Sequence, residues 1–240
     1  MSLSCVVVNQ GNTSTKWGVF KETILVETFR TFNREEETAL VAELNSYGFP
    51  YFGISVCNEA KQQELFSTLE RFERLEPTHF PNHSYETGKP GEDRLANLAG
   101  AEFLFPTHAV LVVDFGTCIT YTLGINGILA GGAISPGVLS RLKSMHDYTG
   151  NLPSVSFEKP VNRLATNTID SMRSGVYYGI IGELTAFIEK TQEIHPELSL
   201  VFTGSDAVHF AEPLEYRIFV EENLTLFGIY ALAQRLTFSH

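Results

Sequence analysis

Cysteine is scarce in this chain, with three in 240 residues. Cys5, Cys57 and Cys118 lie far apart, are odd in number and show no CxxC spacing, so neither a disulfide framework nor a zinc knuckle is expected. Long apolar runs are missing as well. No stretch approaches the roughly 18 apolar residues of a membrane span, and the N-terminus has no basic region ahead of its short apolar run, so neither an anchor nor a leader is expected. Positive charge is in deficit: 17 Lys and Arg against 28 Asp and Glu leave a net charge of −11 and a pI near 5.1. With no Lys/Arg cluster to override that balance, nucleic acid and membrane surfaces are not expected partners. A nucleotide is not excluded, because backbone N–H groups and a bound cation hold phosphate whatever the global charge. A reducing, cytoplasmic location fits these absences.

What is present is an ordinary globular composition, 43% apolar and 12% aromatic. That is enough for one large domain or two of about 100 to 130 residues, each with its own core. The chain also repeats itself. CVVVNQGNTSTKWGVF, Cys5 to Phe20, and AVLVVDFGTCITYTLG, Ala109 to Gly124, each read as an apolar strand, a small polar turn and a second strand. In each copy a third strand and then helices and strands in alternation follow. The first half predicts strands from Cys5, Lys16, Leu25 and Tyr51, helices at about 35–46 and 61–69, and an amphipathic helix with Leu95, Leu98, Ala99 and Phe103 at helical spacing, ended by Pro106. The second predicts strands from Val110, Ile119, Ile128 and Leu198. Its helices are one entered through Pro136, a long one from Ile169, a short one near Ala207 and a terminal one from about Asn223. The expectation is a duplicated α/β protein, domain one at 1–107 and domain two at 108–240, each with a mixed sheet, and a cleft between them as the ligand site.

Two motifs offer chemistry. Gly11-Asn12-Thr13-Ser14-Thr15-Lys16 joins a glycine, three hydroxyls and a lysine in one turn, a phosphate cradle in outline, although the same residues suit a plain hairpin. Walker and GxGxxG signatures are absent, so a nucleotide would have to be held by the paired hairpins. Gly91-Glu92-Asp93-Arg94 sets a carboxylate and a guanidinium at the mouth of a helix. Asp93 there is either a helix cap or a proton acceptor, and Arg94 either a solvated residue or a clamp for an acidic substrate. His79 and His83 sit four apart between Pro77 and Pro81, without a third ligand, and no metal is expected on them. Thr203-Gly204-Ser205-Asp206-Ala207 is either a nucleoside-facing turn or a cap.

In order along the chain, NQGNTSTK, GEDR, DFGT, GGAISPG, LP at Leu152-Pro153, NT at Asn167-Thr168 and TGSDA resemble the motifs of the type III pantothenate kinases. The resemblance covers nearly the whole chain. It implies two RNase-H-like domains of the actin-like ATPase class, each with a mixed five-stranded sheet, usually as a homodimer, and phosphorylation of pantothenate by ATP with Mg²⁺ and K⁺ or NH₄⁺. By the same resemblance Asp93 is the base, and Asn9, Gln10, Gly11, Asn12, Thr13, Ser14, Thr15, Lys16 and Thr117 bind ATP. Tyr85, Gly91, Glu92, Asp93, Arg94 and Thr168 bind pantothenate, and Asp114 helps hold the monovalent cation. Tyr177 and Tyr178 are candidates for the dimer interface.

One position departs from the pattern. The first motif of the family normally opens on aspartate, and here it opens on Asn9. An amide keeps the acceptor oxygen and loses the charge that Mg²⁺ favours. Three readings stay open at this stage: an enzyme with a neutral outer ligand, a binding or regulatory protein on the kinase fold, and an actin-like kinase for another small hydroxy acid.

Overall fold

The computed structural model describes residues 3–105 and 107–238. In chain order the strands are β1 (Cys5–Gln10), β2 (Thr15–Lys21), β3 (Ile24–Thr31), β4 (Tyr51–Ser55), β5 (Phe72–Arg74), β6 (Ala109–Phe115), β7 (Cys118–Ile125), β8 (Ile128–Pro136), β9 (Ser199–Gly204) and β10 (Ile218–Val220). The helices are α1 (Arg34–Leu44), α2 (Glu59–Phe66), α3 (Glu92–Leu104), α4 (Val138–Tyr148), α5 (Thr168–Ile194), α6 (Ala207–Ala211) and α7 (Leu224–Phe238). Two five-stranded sheets result, β3-β2-β1-β4-β5 and β8-β7-β6-β9-β10. In each, a first strand pairs antiparallel with the second and parallel with the fourth, so the repeat seen in sequence is a repeat of topology. The expected α/β fold with two mixed five-stranded sheets is the one observed.

Contacts divide the molecule into two compact units. The described residues of 1–106, 127–129 and 223–240 form one, and those of 107–126 and 130–222 form the other. The terminal helix α7 therefore counts with the first unit, and neither unit is a single stretch of chain.

In the first unit β1 is buried on both faces because helices cover both. Val6, Val8, Trp17 and Val19 pack under Leu40, Val41 and Leu44 of α1 and Leu65 of α2. On the other face Phe20 stacks on Tyr230 of α7 with ring centroids 4.2 Å apart, and Gly18 lies beside Leu226 and Val7. Helices α3 and α7 meet through glycines: a Cβ on Gly228 would collide with the Ala96 carbonyl oxygen, and one on Gly100 with that of Leu224. Strand alternation then fixes the next residues out. Asn9 follows Val7 onto the α7 face, and Gln10 follows Val6 and Val8 onto the α1/α2 face.

Caps set the helix starts. The Asn33 side chain accepts from Glu36 N at 3.0 Å while the Glu36 carboxylate accepts from Phe32 N and Asn33 Nδ2, both at 2.7 Å, a reciprocal closure of the first turn of α1. Asn58 caps α2 by accepting from Lys61 N, which starts that helix at Glu59, two residues ahead of the expected Lys61. The helix expected to enter through Pro136 begins at Val138 instead, because Pro136 closes β8 and Gly137 takes the capping position. Helix α3 ends at Leu104, and the expected stop at Pro106 lies outside the described residues. In the second unit Tyr177 is core, 2% exposed and packed with Phe210, so of the two tyrosines only Tyr178 keeps an accessible edge.

Candidate active site

The turn between β1 and β2 is a tight hairpin in which Gly11 N donates to Ser14 O at 3.0 Å. Its tip, Asn12 and Thr13, is exposed. The two faces of the hairpin differ in what they leave available. On the α1/α2 face Gln10 is buried, with Nε2 donating to Lys61 O at 3.1 Å and Oε1 accepting from Ser55 Oγ at 2.7 Å. Thr15 Oγ1, also buried, donates to Glu37 Oε1 at 2.7 Å. A cleft of about 170 Å³ opens on this side, lined by residues 10–15 and by Arg34, Glu37, Lys61 and Glu64. On the opposite face Asn9 and Lys16 are register partners and share one side of the sheet. Asn9 Oδ1 is buried and has no hydrogen-bond partner among the described residues. A buried acceptor without a donor costs on the order of 1–3 kcal/mol, so its presence marks a position that a ligand's hydrogens can satisfy.

The second cluster of the first unit is the start of α3. Gly91 caps the helix, and a Cβ there would collide with Asp93 Oδ1, which explains why the smallest residue precedes Glu92-Asp93-Arg94. Asp93 is the second helical residue, not the cap, and its Oδ1 accepts from Arg94 N at 2.8 Å. Burial pushes the Asp93 carboxyl above its ordinary value, against the opposing pull of the Arg94 backbone N–H and guanidinium. Arg94 is 4% exposed, so it is no solvated first-turn residue, and its Nη1 donates to Tyr85 OH at 2.6 Å. Glu92 faces elsewhere: Oε1 accepts from Arg74 Nη2 at 2.8 Å and Oε2 from Ser55 N at 3.3 Å. Asp93, Arg94 and Tyr85 thus come together, and Glu92 is turned into the sheet.

In the second unit Asp114 sits near the end of β6, opposite Thr120 of β7 and Thr203 of β9. Gly204 has φ +91, and a Cβ on it would meet Asp114 Oδ1 at 2.8 Å, so the end of β9 is pressed against that carboxylate. The side chain of Asp206 makes no capping bond on α6, and burial raises its pKa. Thr117 is exposed at the tip of the β6/β7 hairpin. Its carbonyl accepts from Gly137 N at 3.0 Å and from Ser140 Oγ at 2.6 Å, which ties the turn to the start of α4. That helix is itself anchored by Arg141 to Glu183 at 2.6 Å. Burial alone would raise Glu183, but bonds from Ser135, Arg141 and Tyr121 hold it below the usual carboxylate range. Thr168 is the exposed first residue of α5, behind the cap Asn167.

Ser55, Lys61 and Arg74 belong to none of the motifs legible in the sequence. The only available signal was positional: Ser55 ends β4 beside Gln10 at the end of the parallel β1, and the carboxyl ends of parallel strands are where α/β proteins place their sites.

A structure of a candidate 2-dehydro-3-deoxygalactonokinase from Sinorhizobium meliloti superposes with a TM-score of 0.66 at 12% identity, covering 98% of this chain and 100% of that one. An inorganic polyphosphate/ATP-glucomannokinase from Arthrobacter superposes with a TM-score of 0.51 at 15% identity, covering 99% and 100%. At such identities the likeness shows the fold, that of the actin-like kinases and ATPases. In sequence, the type III pantothenate kinase of Flavobacterium psychrophilum is 34% identical over 236 residues, 95% of this chain and 98% of its own length. That of Bacteroides fragilis is 33% identical over 232 residues, 93% and 95%. The profile of the family described as type III pantothenate kinase matches residues 5–190, and the chain belongs to that family.

Proposed function

We propose that the protein transfers the γ-phosphoryl group of ATP to the hydroxyl of pantothenate, forming 4′-phosphopantothenate in the first step of coenzyme A synthesis in the cytoplasm. The single observation that carries this reading is the start of α3, where a half-buried carboxylate of raised pKa lies next in sequence to a buried arginine. Phosphoryl transfer asks little covalent chemistry of a protein and much positioning and charge neutralisation.

Asp93 accepts the proton of the attacking hydroxyl. Arg94, held by Tyr85, binds the substrate carboxylate, with Gly91 and Thr168 as further pantothenate contacts. Lys16, the hydroxyls of Thr13 and Ser14, and Asn12 meet the ATP phosphates, and Gly11 lets the main chain approach them. Gln10 and Thr15, whose side chains are held by Lys61, Ser55 and Glu37, contribute through their main chain. Thr117 adds a phosphate contact, and Asp114 holds the monovalent cation, K⁺ or NH₄⁺. A divalent cation bound with ATP neutralises charge on the phosphates. Asn9 Oδ1, which has no hydrogen-bond partner among the described residues, would offer that cation a neutral oxygen and not a charged ligand.

The test is ATP-dependent formation of phosphopantothenate by the purified protein, with and without K⁺. Arg94→Ala should raise the KM for pantothenate about tenfold, and that for pantothenyl alcohol, which lacks the carboxylate, much less. Equal losses on both substrates would remove the role given to Arg94.

We also propose a homodimer. Exposed apolar residues concentrate between residues 134 and 169 of the second unit, with Tyr148 89%, Val161 93% and Leu164 89% exposed. Covering such residues with a second copy removes apolar surface that monomers rarely leave open. Light scattering should give twice the chain mass, and Val161→Glu with Leu164→Glu should halve it. A monomeric wild type at working concentration would end the proposal.

A further inference from the structure

We infer that Glu92, Ser55 and Gln10 form a positioning path that fixes the phosphate hairpin relative to Asp93. The inference rests on the kinase reading of the same site. Its links are all within the first unit. Glu92, one residue before Asp93, accepts from Ser55 N at 3.3 Å and from Arg74 Nη2 at 2.8 Å. Ser55 Oγ donates to Gln10 Oε1 at 2.7 Å and accepts from Cys57 N at 3.1 Å. Gln10 immediately precedes the hairpin glycine, and its Nε2 is held by Lys61 O at 3.1 Å. Gly11 O in turn accepts from Cys57 Sγ at 3.2 Å.

Three features distinguish this path from incidental bonding. First, Gln10 and Ser55 are 6% and 4% exposed, so their bonds face little competition from water and their loss leaves buried groups unsatisfied. Second, Gln10 has both ends of its amide used, donor to Lys61 and acceptor from Ser55, which leaves one orientation only. Third, the Glu92 carboxylate has each oxygen accepting from a different strand, β4 and β5, so the first turn of α3 is pinned to the sheet at two points. The resemblance that made Gln10 an ATP ligand and Glu92 a pantothenate ligand is therefore reassigned for these side chains. They touch neither substrate and act through the hairpin and through Asp93.

The two ends of the path carry the groups that must be registered for in-line transfer, and a misplacement near 1 Å costs on the order of a hundredfold. Glu92→Gln is the informative change. It keeps shape but turns one acceptor into a donor, so either the Ser55 or the Arg74 bond is lost. Ser55→Ala cuts the path at its buried joint.

Each substitution should lower kcat about tenfold while leaving both KM values within about twofold, and the double variant should lose no more than the worse single. Losses that multiply in the double variant, or a Glu92→Gln protein with full kcat and a raised KM for pantothenate, would overturn the inference. A second readout needs no turnover. Amide hydrogen exchange in residues 11–16 should quicken in Glu92→Gln, although the substitution lies on α3, while exchange in the second unit stays unchanged. Unaltered exchange in the hairpin would refute the path even if the kinase assay succeeds. A wild type inactive on pantothenate whose hairpin exchange does respond would instead refute the substrate and keep the path. If Ser55→Ala fails to fold, the exchange result for Glu92→Gln decides alone.

Discussion

Asp93→Asn is expected to fold, to bind ATP, and to lose between 10²- and 10⁴-fold in kcat, the range typical for removal of a positioned general base. The substitution preserves volume, and its oxygen can still accept from Arg94 N, the bond that Asp93 Oδ1 makes at 2.8 Å. What disappears is proton affinity. Burial raises the Asp93 pKa, so in the wild type kcat should fall as pH drops through a value above that of an ordinary aspartate, where the carboxylate becomes protonated and cannot accept. The variant should lack that acid limb. Single-turnover rates across pH, with melting curves to confirm folding, measure both effects. Phosphopantothenate production near the wild-type rate would remove Asp93 as the base and leave it as part of the helix start alone.

Much of the fold was legible because the information was local and repeated. The hairpin of Cys5 to Phe20 and its copy at Ala109 carry strand residues and turn residues in the same order, and the pairing follows from the turn. Strands β5 and β10 were not legible. Each has three residues, too few for alternation to show, and each exists because a parallel neighbour supplies its hydrogen bonds. The place of α7 was equally hidden. Its packing on α3 depends on Gly100 lying against the backbone of Leu224 and Gly228 against that of Ala96, and such a match between residues so far apart in the chain has no periodic signature.

The candidate site was legible by residue type and not by direction. Gly91, Asp93, Arg94 and Tyr85 were singled out together and are found together. Gln10 and Thr15 were singled out with Asn9 and Lys16, yet a period of two puts the pairs on opposite faces of the sheet. Only the structure shows which face carries Lys61 and Glu37 to satisfy them. Glu92 illustrates the same limit: its neighbours in sequence are site residues, and its own carboxylate is turned to Arg74.

Asn9→Asp is expected to lower the Mg²⁺ concentration for half-maximal activity by roughly 10- to 100-fold, the scale on which outer-shell partners of a metal act. It should also raise kcat. The acceptor oxygen of Asn9 is buried and no described residue donates to it, so in the wild type it would offer a bound cation a neutral contact. A carboxylate at nearly the same volume offers charge as well, and Mg²⁺ is a hard cation that favours it. Without metal the same charge is a liability. A buried, unpaired carboxylate costs free energy, offset only in part by Lys16 across the strand pair, so the metal-free variant should melt below the wild type and recover on adding Mg·ATP. That recovery can be read without turnover. It separates three cases: a variant that melts lower, recovers with Mg·ATP and works at low Mg²⁺ places Asn9 beside the metal in a functioning enzyme. An inactive wild type with an active variant would make the natural protein a binder on the kinase fold. An active wild type indifferent to the substitution in both readouts would remove Asn9 from the metal altogether, and the missing carboxylate would then have no bearing on how the phosphates are neutralised.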